Sequence, residues 1–408
     1  MSPSDKNYKI KLFENNRIGD IEAKSMPVHE SAWKPLLNGL MIIGISVPTV
    51  PKNSGVCPLL YWKSLKRIMQ VFWTQILLIT LLINAYEVFS LRQKKYFIVL
   101  VDTMLLIVLR ISTQSILLKL VTYLENMENL FFTFPGKSSW KVNFKRWAGI
   151  WCFFVFVYNI AAISNVIIVI TDISYKCPTL NDLSLHLKRW PSLVNFIHVM
   201  FPVLIICRTV LSNYAPTIIA LLCCFVFKME RKVIQNQNLK IAERIRNGFS
   251  NEALAETSTI MHDTTIFLQS VSESMSLTIL ILISYWISNL FVCITNILHD
   301  TAAGIHMQVF LMCVVVIFSS MFIYLVYLAF TIRQEYLSLK DILLAVAESD
   351  SKLFERVSTA INFELFGRIH EGLEGKVLVT PLDLFTVDTN LILTVLGAVI
   401  TYSVIIFQ

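Results

Sequence analysis

The sequence predicts an all-α membrane protein with seven transmembrane helices, a cytosolic N-terminus, an extracellular C-terminus and helical extensions on the cytosolic side. Three observations predict this. The first is composition: of 408 residues, 55% are apolar and only 15% are charged, and mean hydropathy is +0.63. A soluble domain carries about 25% charge. Too few polar groups exist here to coat a water-facing surface, which excludes a disordered chain, a secreted disulfide scaffold and an ordinary cytosolic enzyme. The second is the length of the apolar runs. The third is the placement of Lys and Arg.

A bilayer core about 30 Å thick takes roughly 20 helical residues at about 1.5 Å of rise each. Taken in order, the first 20 residues are hydrophilic, so no cleavable signal peptide is expected. The apolar stretch 36–47 is too short to cross and reads as an interfacial helix within a cytosolic segment, 1–67. The spans then run over 68–89, 97–118, 148–171, 193–227, 276–298, 307–330 and 390–407. The fourth is overlong and holds Pro202, Arg208 and Pro216. No polar turn interrupts it, so it reads as one kinked helix and not as two spans. The chain thus divides into 1–67, helices one to four in 68–227, a cytosolic stretch 228–275, helices five and six in 276–330, a cytosolic assembly segment 331–389, and helix seven in 390–408.

Orientation follows from charge. With the N-terminus inside, 27 of the 35 Lys and Arg residues fall in cytosolic segments and six in outer loops. The first outer loop dissents, with Arg92, Lys94 and Lys95 crowded together. The net charge of +7 is then a face meeting anionic lipid and not a nucleic-acid signal. In 228–275 and 331–389, apolar residues recur at helical spacing, as in Ile234, Leu239, Ile241 and Ile245. Spans four to six are therefore expected to continue below the membrane and pack together.

No catalytic constellation is present. The sequence lacks H-E-x-x-H, a Walker loop and Cys/His metal spacing, so neither an enzyme nor a cofactor or metal site is expected. The last span is more informative. Leu391, Thr394, Ala398, Thr401, Ile405 and Gln408 follow one another at spacings of three and four, a single stripe of small and mildly polar character. A polar stripe in lipid must face protein or water. Two readings fit: tight helix packing, which favours Gly, Ala and Thr, or the lining of a narrow pore where several copies meet, with Asp388 concentrating cations at its cytosolic mouth.

The closing run Thr401-Tyr402-Ser403-Val404-Ile405-Ile406-Phe407-Gln408 resembles the TY-(five apolar)-QF signature that ends insect gustatory receptors. The chain stops at Gln408, one residue short of that signature's Phe. The preceding Val395–Tyr402 stretch is similar to the last helix of the related odorant receptors. Leu60-Tyr61-Trp62-Lys63-Ser64-Leu65 resembles the F-x-W-[RK]-S stretch of sugar-responsive members, whereas Pro381-Leu-Asp383-Leu-Phe385-Thr-Val-Asp388 looks more like other members, so the ligand class stays open. The resemblance implies a tastant-gated, non-selective cation channel, a homo- or heterotetramer in the plasma membrane of sensory neurons. It implies a seventh helix that lines the pore, narrowed at Ile405 and Gln408.

A tastant would bind in the outer half of the bundle. The candidates are Glu87, Asp102, Asn165, His198, Trp286, Asn289, Asn296 and Gln308, with Asn84, Asn195 and Tyr86 alongside. Carboxylates and amides suit ligand hydroxyls, and aromatic faces suit C–H surfaces. Arg110 and Arg208 lie within spans and need internal partners. A G-protein-coupled receptor is the nearest alternative, but the chain lacks D-R-Y after span three and N-P-x-x-Y in span seven; a transporter for a small polar solute is disfavoured by the odd span count and the lack of repeats.

Overall fold

A computed structural model describes residues 34–45, 56–91, 94–132, 137–171, 191–247, 251–299, 305–349, 387 and 389–405. Among them the secondary structure is entirely helical: α1 (Lys34–Ile42), α2 (Val56–Leu91), α3 (Lys94–Phe132), α4 (Lys137–Thr171), α5 (Pro191–Asn247), α6 (Asn251–His299), α7 (Ile305–Ser349) and α8 (Thr389–Ile405). Six of these are long and apolar enough to cross a membrane, over Arg67–Tyr86, Val99–Leu124, Arg146–Ser164, Pro202–Glu243, Thr264–Leu298 and Gln308–Ser338; Asn390–Tyr402 is a shorter apolar helix. Helices are the expected solution, because lipid cannot satisfy backbone N–H and C=O groups and a helix satisfies its own.

The fourth expected span is one continuous helix. α5 runs for 57 residues through both Pro202 and Pro216, about 85 Å at the α-helical rise. Its apolar window is 83% buried against 28% for those of α2 and α4. α5 is therefore the central post of the bundle, and α2 and α4 are outer helices that offer most of their side chains to lipid. α5 packs against α7, α4, α3 and α6, and α3 packs on α2 and α6.

α5, α6 and α7 all exceed a bilayer crossing, with 57, 49 and 45 residues. Their shared end is tied by polar groups. Arg231 donates from Nε and Nη2 to one carboxylate oxygen of Glu335, at 2.8 and 2.6 Å. Gln235 donates to the same oxygen at 2.5 Å. Asn238 donates to the Glu335 carbonyl at 2.7 Å and to Ser338 at 3.3 Å. The ends of α5 and α7 are joined in this form, and Tyr123 set edge-on to Phe267, with centroids 5.8 Å apart, joins α3 to α6.

The short helix α1 is packed into the bundle, against α4, α5 and α2. Leu36, Leu40 and Ile43 are wholly buried, and an added Cβ on Gly39 would come within 2.7 Å of Ile218 Cδ1. A helix end buried this way must satisfy its last carbonyls without water. Gly44, at φ +72°, ends the helix. Its N–H donates to the Met41 carbonyl and that of Ile45 to the Leu40 carbonyl, both at 3.0 Å, the paired bonds of a Schellman cap, with Leu40 and Ile45 both buried beside it. Trp73 Nε1 donates to the Ile42 carbonyl at 2.7 Å. Arg110 Nη2 donates to the carbonyls of Gly44 at 3.2 Å and Gln70 at 3.1 Å. Arg110 thus has the internal partners its position demanded, and they are backbone carbonyls.

Candidate functional site

Among the described residues, polar side chains gather inside the bundle at the end where α2 gives way to α3. From α2, Asn84 is fully buried and its Nδ2 donates to Thr103 Oγ1 at 2.7 Å. Thr103 in turn donates to the Val99 carbonyl at 2.9 Å, a back-bond that aims its oxygen lone pairs at Asn84. Arg208 of α5 reaches Asn84 Oδ1 at 3.4 Å. One amide therefore bridges a threonine on α3 and a guanidinium on α5.

Asp102, next to Thr103 on α3, has one carboxylate oxygen buried with no hydrogen-bond partner in the structure. Ser288 of α6 lies within hydrogen-bonding reach of its carboxyl group, and Arg208 is the nearby positive charge. Around this core, Tyr285 donates its hydroxyl proton to the Ser212 carbonyl at 2.7 Å, Asn289 Nδ2 donates to the Tyr285 carbonyl at 3.0 Å, and Tyr158 donates to Asn213 Oδ1 at 3.2 Å. The polar groups come from five helices, α2 to α6. Their chemistry suits a small polar molecule: a carboxylate oxygen and amide oxygens to accept from hydroxyls, a guanidinium to donate, and tyrosine rings to cover apolar faces.

Of the expected ligand contacts, Asp102 and Asn289 sit in this gathering, as does Asn84. Trp286 is fully buried and meets Phe322 edge-on with centroids 6.1 Å apart; its Nε1 has no hydrogen-bond partner in the structure. Asn296 is exposed and Gln308 half-buried. The side chains of Glu87, Asn165 and His198 lie outside the described residues. Sequence reasoning passed over Thr103, Tyr158, Asn213, Tyr285 and Ser288, since Ser, Thr and Tyr are ordinary inside membrane helices. The available signal was the pair Tyr285 and Asn289, four apart and so on the same helix face as each other.

The last helix, α8, packs on α6 and α7. Val395 and Val399 are its buried face. Thr394, Ala398 and Thr401 are exposed, and at about 100° per residue they form one flank of that face. Leu391, the first of the stripe, is half-buried. Thr394 donates to the Asn390 carbonyl at 3.0 Å, so its oxygen lone pairs point outward. Asp388 and Gln408 lie outside the described residues, as does the side chain of Ile405. Among the described residues no three His, Cys, Asp or Glu side chains converge as a metal site.

No protein-family model matches the chain, and no curated protein does. Among solved structures, the insect olfactory receptor OR5 from Machilis hrabei is similar over 92% of this chain and 97% of its own, with a TM-score of 0.60 at 12% identity. The same receptor in complex with eugenol matches over the same shares with a TM-score of 0.61 at 14% identity. The chain has the insect olfactory receptor fold. The all-α architecture is thus shared with a solved structure from which the sequence has almost wholly diverged.

Proposed function

We propose that this chain is a subunit of a ligand-gated, non-selective cation channel of the insect gustatory and odorant receptor kind, opened by a small tastant bound among α2 to α6. The observation that carries the reading is α8: one face docks on its own chain, while the flank bearing Thr394, Ala398 and Thr401 is left for something outside the monomer. Packing within one chain accounts for Val395 and Val399 but leaves that flank uncovered. Three further copies around an axis would cover part of it and turn the rest toward water. The fold shared with an olfactory receptor, and the Thr401-Tyr402 to Gln408 ending, support the same reading. The assembly is then a homo- or heterotetramer in the plasma membrane of sensory neurons, with the N-terminus cytosolic and the C-terminus outside. The shared ends of α5, α6 and α7 hold the subunits together.

The ligand group is the cluster of Asp102, Arg208 and Asn84, with Asn289 and Tyr285 beside it; Glu87, Asn165, His198, Trp286, Asn296 and Gln308 are the further candidates. Sugar fits the chemistry, because a carboxylate and amides that go unpaired without a hydroxyl partner discriminate sharply against ligands lacking one. Ligand binding shifts α6, which carries Tyr285, Ser288 and Asn289 in the cluster and also contacts α8, and so widens the constriction at Ile405 and Gln408.

The test is electrical. The chain is expressed alone and with partner subunits, and currents are recorded against sugars and bitter compounds with Cys substituted at 394, 398 and 401. Water-soluble thiol reagents should alter the current at these positions during stimulation and leave Leu393→Cys, on the far side of α8, unaffected. Ligand-evoked current without modification at any of the three would refute the pore assignment. Asp388→Asn should lower the preference for cations over anions modestly.

A further inference from the structure

Where α4, α5 and α7 meet, at the far end of the bundle from Asn84 and Asp102, an aromatic shelf carries an uncompensated lysine. Trp147 and Trp151, one turn apart on α4, lie 6.5 Å apart between ring centroids. Tyr324 of α7 stacks on Trp151 at 6.1 Å with 22° between the planes and tilts against Trp147 at 6.4 Å. Lys228 of α5 places its Nζ 4.3 Å from the Trp147 ring centroid. A ring face satisfies one side of an ammonium and leaves N–H donors for an anion.

The charge on this face of α5 is basic, with Glu230 turned inward and buried. Lys228, Arg231 and Lys232 share a face of α5 by their spacing of three and four. Glu335 is committed to Arg231 and Gln235. Lys232 donates to Gln235 at 2.6 Å. Neither Lys228 nor Lys232 forms an ion pair with a described residue. The apolar window of α4 begins at Arg146, itself exposed, so the shelf sits at headgroup depth. Just deeper on α4, Phe154 meets Trp151 with ring centroids 6.4 Å apart. Ile150 and Phe154, four apart on α4 and so on one side of it, are each more than half exposed.

We propose that this corner binds an anionic phospholipid. Its phosphate and headgroup carboxylate are held by Lys228 and Lys232, and its acyl chain is laid over Ile150 and Phe154. The charge argues for an anion, and the exposed apolar strip that runs on from the Trp151 ring argues for one that carries a chain. A neutral lipid uses only the apolar strip. The leaflet is the cytosolic one under the orientation proposed above; the binding chemistry does not depend on it or on channel activity.

The full chain is reconstituted into phosphatidylcholine vesicles containing a minor fraction of brominated-acyl phosphatidylserine or brominated-acyl phosphatidylcholine, and tryptophan quenching is followed. The chain has 8 Trp, so the signal of the shelf is isolated as the difference from Trp147→Phe/Trp151→Phe. Phosphatidylserine should half-quench that difference signal at a mole fraction roughly tenfold lower than phosphatidylcholine. Lys228→Gln/Lys232→Gln should abolish the preference, and Lys228→Arg should keep it. Equal quenching of the wild-type protein by the two lipids overturns the proposal, as does a preference that survives in the double Gln variant. Should that variant fail to fold, the wild-type lipid comparison still decides. No current is needed, so a failure here is distinct from a failure of the channel reading.

Discussion

At Asp102, one carboxylate oxygen is buried without a partner, a costly state unless something accepts its company. A ligand hydroxyl is the partner proposed. A hydrogen bond to a charged group contributes about 1.5–3 kcal/mol, so Asp102→Asn should move the dose–response curve of a hydroxylated agonist roughly tenfold or more to the right while maximal current persists. An unshifted curve removes Asp102 from the site. Gly44 makes a second prediction at this scale. Its φ is +72°, and a Cβ there would meet the Met69 carbonyl oxygen at 2.9 Å and Arg110 Nη2 at 3.0 Å. Left-handed backbone costs a non-glycine residue roughly 1–2 kcal/mol, and neither backbone nor a hydrogen-bonded guanidinium yields easily. Gly44→Ala should lower the apparent Tm of the detergent-solubilised protein by several degrees. Gly39→Ala should cost less, because its closest neighbour is the end of the flexible Ile218 side chain.

Among elements, the junction of α5 and α7 is held by a cluster of polar groups around Glu335. The side chains of Arg231 and Glu335 are 34% and 19% exposed, so water screens the pair and its coupling is on the order of 1 kcal/mol. A double-mutant cycle with Arg231→Met and Glu335→Gln should show this coupling in thermal stability. Additive effects within about 0.3 kcal/mol would make the pair incidental to the junction. α1 was legible only in part. Its apolar stretch was visible in the sequence and pointed to a short interfacial helix. Its seat against Ile218 was not, because the close approach depends on Gly39 meeting a residue far along the chain on α5. The cap carbonyls show the same limit: Arg110 is in the sequence, but the carbonyls of Gly44 and Gln70 that receive it carry no sequence label.

For the whole molecule, the proposed orientation places the shared ends of α5 to α7 in the cytosol. Leu239, 67% exposed on that extension of α5, and Leu298, 53% exposed at the opposite end of α6, offer the test. A membrane-impermeant thiol reagent applied to intact cells should label Leu298→Cys at once and Leu239→Cys only after permeabilisation. The reverse pattern inverts the topology and with it the assignment of the outer ligand site. The olfactory receptor fold at 12% identity shows that this architecture tolerates near-complete replacement of side chains, as expected where long apolar helices need only bury a stripe and face lipid elsewhere.

Composition and run length by themselves determined that this chain is a bundle of membrane helices, and roughly where each begins and ends, because a hydrocarbon slab filters for uninterrupted apolar stretches whatever their neighbours are. The polar stripe of α8 was legible for the same reason, being a periodicity within one helix. Which face of α8 docks on α6 and α7, and which polar residues from five helices converge around Asp102, were decided only by tertiary packing. A side chain's azimuth and depth depend on the helices beside it, and in lipid a lone Asn, Asp or Arg signals only that a partner exists, not on which helix that partner lies.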